Sequence, residues 1–188
     1  IFKATHGSFC GFHFHYTMPR GVFDYQKLFL RKLLRSKIKH SFIECYNMLI
    51  AMDPALITFM QSSPFVNNKY FAKDSRVILV RGGRKLGCPQ GLFADKQILG
   101  GLPPYKQTIY DLKHSLRKKD EKWRDLVEKS NLSKETIRKI LKNKITLDYI
   151  WNPVKINKIG TFEQRGMDIN YLSYVIASAV LIKYVLRA

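Results

Sequence analysis

The chain is poor in acidic residues and in cysteine. Its 188 residues hold 14 Asp and Glu against 33 Lys and Arg, a formal net charge of +19. Such an excess favours polyanionic partners, such as nucleotides, nucleic acid or an acidic surface, and it does not constrain the fold. The 3 cysteines form neither a paired metal-binding spacing nor an even set for disulfides. We therefore expect a reducing, cytoplasmic location.

Long hydrophobic runs are also scarce. The apolar run at 171–186 is interrupted by Lys183 and is short for a membrane span, so we expect a buried helix there and no membrane contact. No signal peptide, internal repeat or low-complexity segment is visible. The chain opens at Ile1 without a methionine, which predicts a fragment of a longer polypeptide. A hydrophobic content of 46% suits one domain over 1–188 with a real core.

Residues 159–167 predict a strand with one chemical face. Alternate side chains of an extended backbone share a face, so Thr161, Glu163 and Arg165 project together, away from Phe162 and its neighbours. A buried sheet face accommodates a carboxylate and a guanidinium poorly. This face is therefore the first candidate for a site. The alternative is a structural Glu–Arg pair on a solvated sheet.

Residues 10–16 predict a second strand of the same kind. Gly11, His13 and His15 alternate with three aromatic residues, which is the two-residue period of a strand. The aromatic side is typical of a core, and the histidine side is typical of a site. Two histidines on one strand are, taken alone, more often structural than metal-binding.

The rest of the chain predicts mostly helices. We expect helix within 23–60 with a break near Ser36 or Lys37, a further short helix from Pro54 through Phe59, and a loop at 61–68. The run Val77 to Val80 predicts a strand over 75–81. The remaining predictions are an irregular loop at 87–104, helices within 105–143, a strand at 146–151 and a closing helix at 170–187.

Five motifs follow one another along the chain. They are Gly11 with His13 and His15, the turn Ser62–Phe65, Ser75 with Arg76, the strand residue Trp151, and Gly160–Arg165. In order and rough spacing they resemble the carboxylate-amine ligase, or bacterial-type glutamate-cysteine ligase, family. The resemblance spans about Gly11 to Leu186 and rests on several dispersed motifs.

The resemblance implies an α+β domain, with a curved, mostly antiparallel sheet and helices on its outer face, similar to glutamine synthetase. It implies ATP- and Mg²⁺- or Mn²⁺-dependent formation of an amide, as in glutathione biosynthesis. The substrates would be a glutamate-type γ-carboxylate and an amine such as cysteine, joined through an acyl phosphate. The family's acidic Glu-x-Glu strand would lie upstream of Ile1.

Phosphoryl transfer charges several oxygens at once, so its site needs divalent cations and fixed positive groups. Glu163 is then the first candidate metal ligand, and Arg165 the group that meets phosphate or the substrate carboxylate. By resemblance, His13 would be a metal ligand and His15 would contact ATP phosphate. Imidazole suits manganese better than magnesium.

Three further residues are candidates for ATP or substrate binding. By resemblance, Arg76 would bind substrate or nucleotide phosphate, and its alternative is a solvated arginine. Ser62 and Ser63 form a turn whose amides and hydroxyls can hold an anion or cap a helix. Serine nucleophilic catalysis is not expected, because no serine occupies a nucleophile-elbow sequence. Cys88 has no identifiable activating partner.

The segment Lys113–Lys144 is strongly basic and is predicted as a helical insertion. It holds twelve Lys and Arg against five Asp and Glu. Residues 126–141 resemble a helix-turn-helix, with Ser133 as the cap of the second helix and Ile137, Ile140 and Leu141 on its inner face. The second functional hypothesis is a catalytically incomplete, ligase-derived protein that binds nucleic acid or the ribosome here. The alternative is two amphipathic helices with a solvated basic face, and self-association stays open.

Overall fold

The computed structural model describes residues 11–31, 35–66, 68–82, 91, 93, 96–142 and 151–187. It confirms an α+β fold with antiparallel sheets. The strands of the described part are β1 (Phe14–Thr17), β2 (Phe23–Asp24), β3 (Phe29–Leu30), β4 (Phe65–Val66), β5 (Lys69–Tyr70), β6 (Val154–Asn157) and β7 (Thr161–Gln164). The helices there are α1 (Ser36–Met60), α2 (Ser75–Arg81), α3 (Gln97–Gly100), α4 (Ile109–Glu128), α5 (Lys134–Lys142) and α6 (Leu172–Val185).

The main sheet has three strands in the order β1-β7-β6. The predicted strand at 159–167 is confirmed as β7, which lies in the centre, and the histidine segment supplies β1. Their antiparallel register sets His15 opposite Glu163, and Glu163 opposite Lys155 on the other side. Residues directly opposite each other share a face, so polar side chains line up across all three strands.

Helix α1 covers the apolar face of this sheet. Phe162 is almost fully buried, with its ring centroid 5.0 Å from that of Phe42 and 6.4 Å from that of Tyr46. Phe14 and Tyr16 pack against the same core, which confirms the aromatic side of the histidine strand as the core side. The opposite face is thereby left for polar chemistry.

The prediction of a new helix at Pro54 is wrong, because α1 runs unbroken from Ser36 to Met60 with Pro54 inside it. Its buried residues on both sides of the proline belong to one core, and this packing outweighs the loss of one backbone donor. Helix α1 is long and apolar enough to cross a membrane by length and composition alone. Core helices pass the same test, and α1 is part of the core.

The prediction of a helix that begins at Phe23 is also wrong, because residues 23–30 form the hairpin β2–β3. The Asp24 carboxylate accepts hydrogen bonds from the backbone N–H groups of Gln26 and Lys27, at 3.1 and 3.0 Å. Leu28 has a positive φ of 52°. This aspartate turn competes with a helical backbone and reverses the chain.

The predicted strand at 75–81 is a helix instead, α2. Asp74 caps it, since its carboxylate accepts a hydrogen bond from the Val77 N–H at 2.9 Å. A short apolar run does not distinguish strand from helix, and the cap decides here. The predicted loop at 61–68 contains the short strand β4, which pairs with β5.

Helices within 105–143 are confirmed as α4 and α5. Thr108 and Asp111 form a capping box at the start of α4, and the Ser133 hydroxyl accepts the Thr136 N–H at 3.2 Å, as a cap of α5. Trp123 and Val127 of α4 form a second, smaller core, against which Ile137, Ile140 and Leu141 pack. The predicted inner face of α5 is therefore confirmed.

The closing helix is confirmed as α6, but the prediction that it is buried is wrong. Ser178 and Ile182 are its buried residues, while Leu172 and Tyr184 are largely exposed. The predicted strand at 146–151 lies outside the described residues except for Trp151, and β6 starts at Val154. The predicted irregular loop at 87–104 contains helix α3 at Gln97–Gly100, so that prediction is wrong there. Its residues 87–90, 92, 94 and 95, including Cys88, lie outside the described residues, as does Cys10.

Candidate functional site

The polar face of the sheet, which carries His13, His15, Thr161, Glu163 and Arg165, brings two chain-distant groups into contact. The Nδ1 atom of His13 lies 3.1 Å from Oε1 of Glu163. The antiparallel pairing of β1 with β7 creates this contact, because His13 directly precedes β1. The two candidate metal ligands of the sequence analysis are thus neighbours.

Glu163 is held firmly although it lies on the polar face. It is only 6% exposed, and its second oxygen, Oε2, accepts a hydrogen bond from Nδ2 of Asn157 at 2.9 Å. Asn157 is the last residue of β6, so all three strands of the sheet contribute to the surroundings of this carboxylate. A buried carboxylate with fixed partners is a preorganised ligand rather than a mobile surface charge.

The surroundings of His13 favour the neutral imidazole. Desolvation lowers its pKa below the usual value of 6.5, and the cations Arg165 and Arg76 act in the same direction, while Glu163 opposes them. A neutral imidazole whose Nδ1–H faces the Glu163 carboxylate keeps a lone pair on Nε2. His13 is therefore able to ligate a metal or accept a proton at Nε2 near pH 7.

Arg76 reaches the same place from helix α2. Its guanidinium is buried, donates to the Gly166 carbonyl, and has its Nε 3.7 Å from the Asp168 carboxylate. A Cβ at Gly11 would lie 3.3 Å from Nη1 of Arg76 and 3.5 Å from Nε2 of His13. Gly11 therefore leaves open the space where these two side chains converge.

Two polar atoms beside this space have no hydrogen-bond partner among the described residues. They are Nε of Arg76, which is ion-paired with Asp168, and Oδ2 of Asp168. Asp168 is buried and forms an isolated backbone bridge with Gly11. Buried charged groups of both signs therefore border the space between Arg76 and His13.

Arg165 directly follows β7, and its side chain is directed to the segment that precedes β6. Its Nε donates to the Asn152 carbonyl at 2.8 Å, and its backbone N–H donates to the Pro153 carbonyl. The side-chain oxygen of Asn152 accepts a hydrogen bond from Nζ of Lys119, in α4, at 2.5 Å. Asn152 thus links Arg165 to a buried lysine.

The other candidates lie around the site without converging on Glu163. The His15 ring is 2.9 Å from the Thr161 hydroxyl and exposed. The Ser62 hydroxyl donates to the Ile169 carbonyl, next to Asp168, and the Ser63 carbonyl accepts the Ser75 N–H at 2.9 Å. Both serines therefore tie the end of α1 to the strand β7 extension and to α2.

Comparisons of the chain with protein-family models, with curated proteins and with solved structures found no match.

The residues at the site suit a divalent cation that is shared with a nucleotide. Among the described residues, no group of three or more His, Cys, Asp and Glu side chains could hold a metal alone. Mg²⁺ sites for phosphate transfer typically use one or two carboxylates, and substrate phosphates and water complete the shell. Nε2 of His13, with the ring held by Glu163 at Nδ1, matches that smaller protein contribution, and the Asp168 carboxylate lies nearby.

Sequence reasoning missed a buried polar group beneath the sheet. Asp53 of α1 is fully buried, 2.8 Å from the Arg81 guanidinium and 3.0 Å from the Gln164 amide nitrogen. The Arg81 guanidinium also stacks 3.8 Å from the ring centre of Trp151. The Asp53-Pro54 pair inside a helical pattern was the available signal, since aspartate rarely occupies a core position without a partner.

Proposed function

We propose that this protein is an ATP-dependent carboxylate-amine ligase with a glutamine-synthetase-like fold. The observation that carries the proposal is the contact of His13 with Glu163 across β1 and β7, with Arg76 converging on His13 from α2. These residues belong to three of the motifs whose order along the chain resembles this family. Motifs that are distant in the sequence therefore contribute to one site.

The charges of the site suit phosphoryl transfer. Arg76 and Arg165 are fixed cations near the neutral His13, and Glu163 supplies one anchored carboxylate. Preorganised cations stabilise the negative charge that spreads over phosphoryl oxygens in the transition state. Mg²⁺ or Mn²⁺, held by Nε2 of His13 together with ATP while Glu163 orients the imidazole, would add charge neutralisation to these oxygens.

The proposed reaction needs no protein nucleophile. A glutamate-type carboxylate attacks the γ-phosphorus of ATP, the bond to the ADP oxygen breaks, and an acyl phosphate and ADP form. An amine such as cysteine then attacks the acyl carbon, phosphate leaves, and the amine loses a proton. In this sequence Arg76 binds phosphate or substrate carboxylate, Arg165 orients the polar face, and Nε2 of His13 can also accept a proton.

Coupled turnover tests the proposal. The protein is incubated with ATP, Mg²⁺ or Mn²⁺, glutamate and cysteine, and ADP and the amide product are measured by mass spectrometry. We expect equal amounts of both, dependent on both substrates, and a strong loss in His13→Asn. His40→Asn is the matched control, because exposed His40 is 2.9 Å from Glu44 on α1. ADP formation that does not depend on the carboxylate and the amine contradicts the ligase proposal. A lack of ADP formation contradicts it as well.

Nucleic-acid binding is the second candidate, favoured by the outer face of α5. Lys134, Arg138 and Lys142 recur every fourth residue and are exposed, beside the residues that pack on the second core. In the described part of the chain, none of the three forms an ion pair with a carboxylate. A row of exposed cations is the kind of surface that neutralises nucleic-acid phosphates.

A further inference from the structure

A cleft of about 320 Å³ lies between α4 and the segment 97–106 that precedes it. One wall is apolar and includes Ile98, Leu102 and Pro103. The other wall is polar and carries Lys106 together with residues of α4. The residues of α4 in this wall are Asp111, His114, Ser115, Lys118 and Lys119.

Two lysines of the polar wall are largely buried and form no ion pair with a described carboxylate. Lys119 is only 5% exposed, and the hydrogen bond from its Nζ ends on a neutral amide oxygen, that of Asn152. Lys106 is 8% exposed. Among the described residues, neither lysine forms an ion pair with a carboxylate. Buried ammonium groups ordinarily have such a partner.

Lys106 is held rigidly in this place. Its backbone N–H donates to Oδ1 of Asn47 at 2.8 Å, and its carbonyl accepts from Nδ2 of Asn47 at 2.7 Å. This two-way clamp fixes the segment to α1, so Lys106 cannot easily move away from the cleft. The nearby Asp111 is engaged by Thr108 through two hydrogen bonds of 2.9 Å.

The two lysines repel each other electrostatically. Burial lowers the pKa of Lys119 to about 8, and the charges of Lys106 and Arg165 contribute to this shift. Burial also lowers the pKa of Lys106, against the attraction of Asp111. Three cations thus gather around Asn152 and the cleft, and a bound anion would offset both the desolvation and the repulsion.

We propose that this cleft binds the oxyanion of a small organic ligand, a phosphate or a carboxylate carried on an apolar body. Lys119 and Lys106 would pair with the oxyanion, and Ile98, Leu102 and Pro103 would contact the apolar part. The site is distinct from the His13–Glu163 contact on the sheet. It does not depend on the proposed ligase function, and neither failure implies the other.

Calorimetric titration in buffer without phosphate or sulfate tests this site. The probes are inorganic phosphate, phenyl phosphate and benzoate. We expect saturable binding at one site, with a phenyl-bearing probe tighter than inorganic phosphate because of the apolar wall. Whichever of phenyl phosphate and benzoate binds more tightly identifies the oxyanion. Failure of all three probes to bind overturns the proposal.

Variants separate the cleft from the general positive charge. Lys119→Met and Lys106→Met should each weaken the better probe on the order of tenfold to a hundredfold. Lys113→Met, which removes an exposed lysine of the same helix, should leave the affinity unchanged. Equal affinity in all three variants contradicts the site.

A single-stranded oligonucleotide supplies the last arm. Its binding should not require Lys106 or Lys119, since both are buried in a cleft of small-molecule size. Two results together would make the cleft part of a nucleic-acid surface and the small-ligand proposal wrong. The oligonucleotide would displace the small probe from the wild-type protein, and neither methionine variant would bind the oligonucleotide.

Discussion

Arg81 and Asp53 form an ion pair of 2.8 Å beneath the sheet, at the opposite face from His13 and Glu163. Asp53 is fully buried, and Gln164 donates to its second oxygen. Through Gln164 the pair is joined to β7, the strand that also carries Glu163. The position of the candidate site therefore depends on a buried charge in the core.

Removing one partner of this pair should destabilise the fold strongly. Arg81→Met leaves the Asp53 carboxylate buried without its cation, which typically costs about 3–5 kcal/mol. Urea denaturation followed by circular dichroism measures this. Arg117→Met is the matched control, because the Arg117–Glu121 pair is exposed, and such pairs contribute about 0–1 kcal/mol. Equal losses for both variants would mean that the buried pair is not a structural anchor.

Gly166 has to be a glycine because of the same aspartate. A Cβ at this position would lie 2.1 Å from Oδ1 of Asp53. Gly166→Ala should therefore lower the free energy of unfolding by about 1–3 kcal/mol, as overpacking of a core does. Gly11→Ala should cost less, since the nearest atom there is 3.3 Å away at the end of the Arg76 side chain. Thermal unfolding of the two variants compares them, and a milder effect at Gly166 contradicts the packing.

The strands of the site were predictable because their alternation is local information. Glu163 and Arg165 share a face with His13 and His15 for the simple reason that a strand has a period of two. The pairing of β1 with β7 was not a local property, because it joins residues about 150 positions apart. Strand β6 was not predicted, although Val154 and Ile156 alternate there with Lys155 and Asn157.

Helix α2 shows where a prediction from residue types fails. The run Val77 to Val80 consists of strand-forming residues, yet the Asp74 cap and the core behind α2 select a helix. A capping aspartate directly before a seven-residue run was visible in the sequence. Whether the helix cap or the β-branched residues decide the backbone conformation depends on tertiary contacts, which a single sequence does not show.

Lys119 could have been found as a buried residue. Leu112, Leu116, Trp123 and Val127 occupy the inner side of α4, and Lys119 falls at the same helical spacing between them. The segment 113–144 contains many exposed lysines, so its charge alone does not distinguish Lys119 from them. A lysine at an apolar position of an amphipathic helix indicates a buried ammonium group.

The buried ammonium of Lys119 predicts a pH dependence of stability. Its pKa is about 8 in the folded protein and 10.5 when exposed, so between these values the unfolded chain binds more protons. The free energy of unfolding should then rise with pH between about 8 and 10.5, by up to about 3 kcal/mol more than in Lys119→Met. The variant lacks the ammonium group that causes this rise. Chemical denaturation of both proteins at pH 7.5 and 10.5 measures the difference. A constant difference would show that Lys119 is solvated.

The basic face of α5 predicts a salt-dependent response. Replacing Lys134, Arg138 and Lys139 by Glu should weaken single-stranded RNA or DNA binding, measured by fluorescence anisotropy at several salt concentrations. A nucleic-acid surface loses affinity with a log–log slope of about 0.7 to 0.9 per phosphate contact. We expect a shallow slope and weak binding, as for a solvated basic face on an enzyme.

The control for this experiment carries the same charge change elsewhere. Lys37, Lys69 and Lys158 are exposed and distant in sequence from α5, and their triple replacement by Glu also alters the net charge by six. Equal weakening in both triple variants indicates attraction by net charge alone. Tight binding with a steep slope, lost only in the α5 variant, makes nucleic-acid binding the better account.

Nucleotide binding through Glu163 tests the central claim most directly. MgATP and MnATP are titrated calorimetrically into the wild-type protein, Glu163→Gln and the control Glu44→Gln, an exposed glutamate that also contacts a histidine. We expect binding by the wild type and by Glu44→Gln, and affinity about tenfold or more lower in Glu163→Gln, because the amide loses the negative charge that orients His13 and attracts the cation. Equal affinities of Glu163→Gln and the wild type would contradict this role of Glu163.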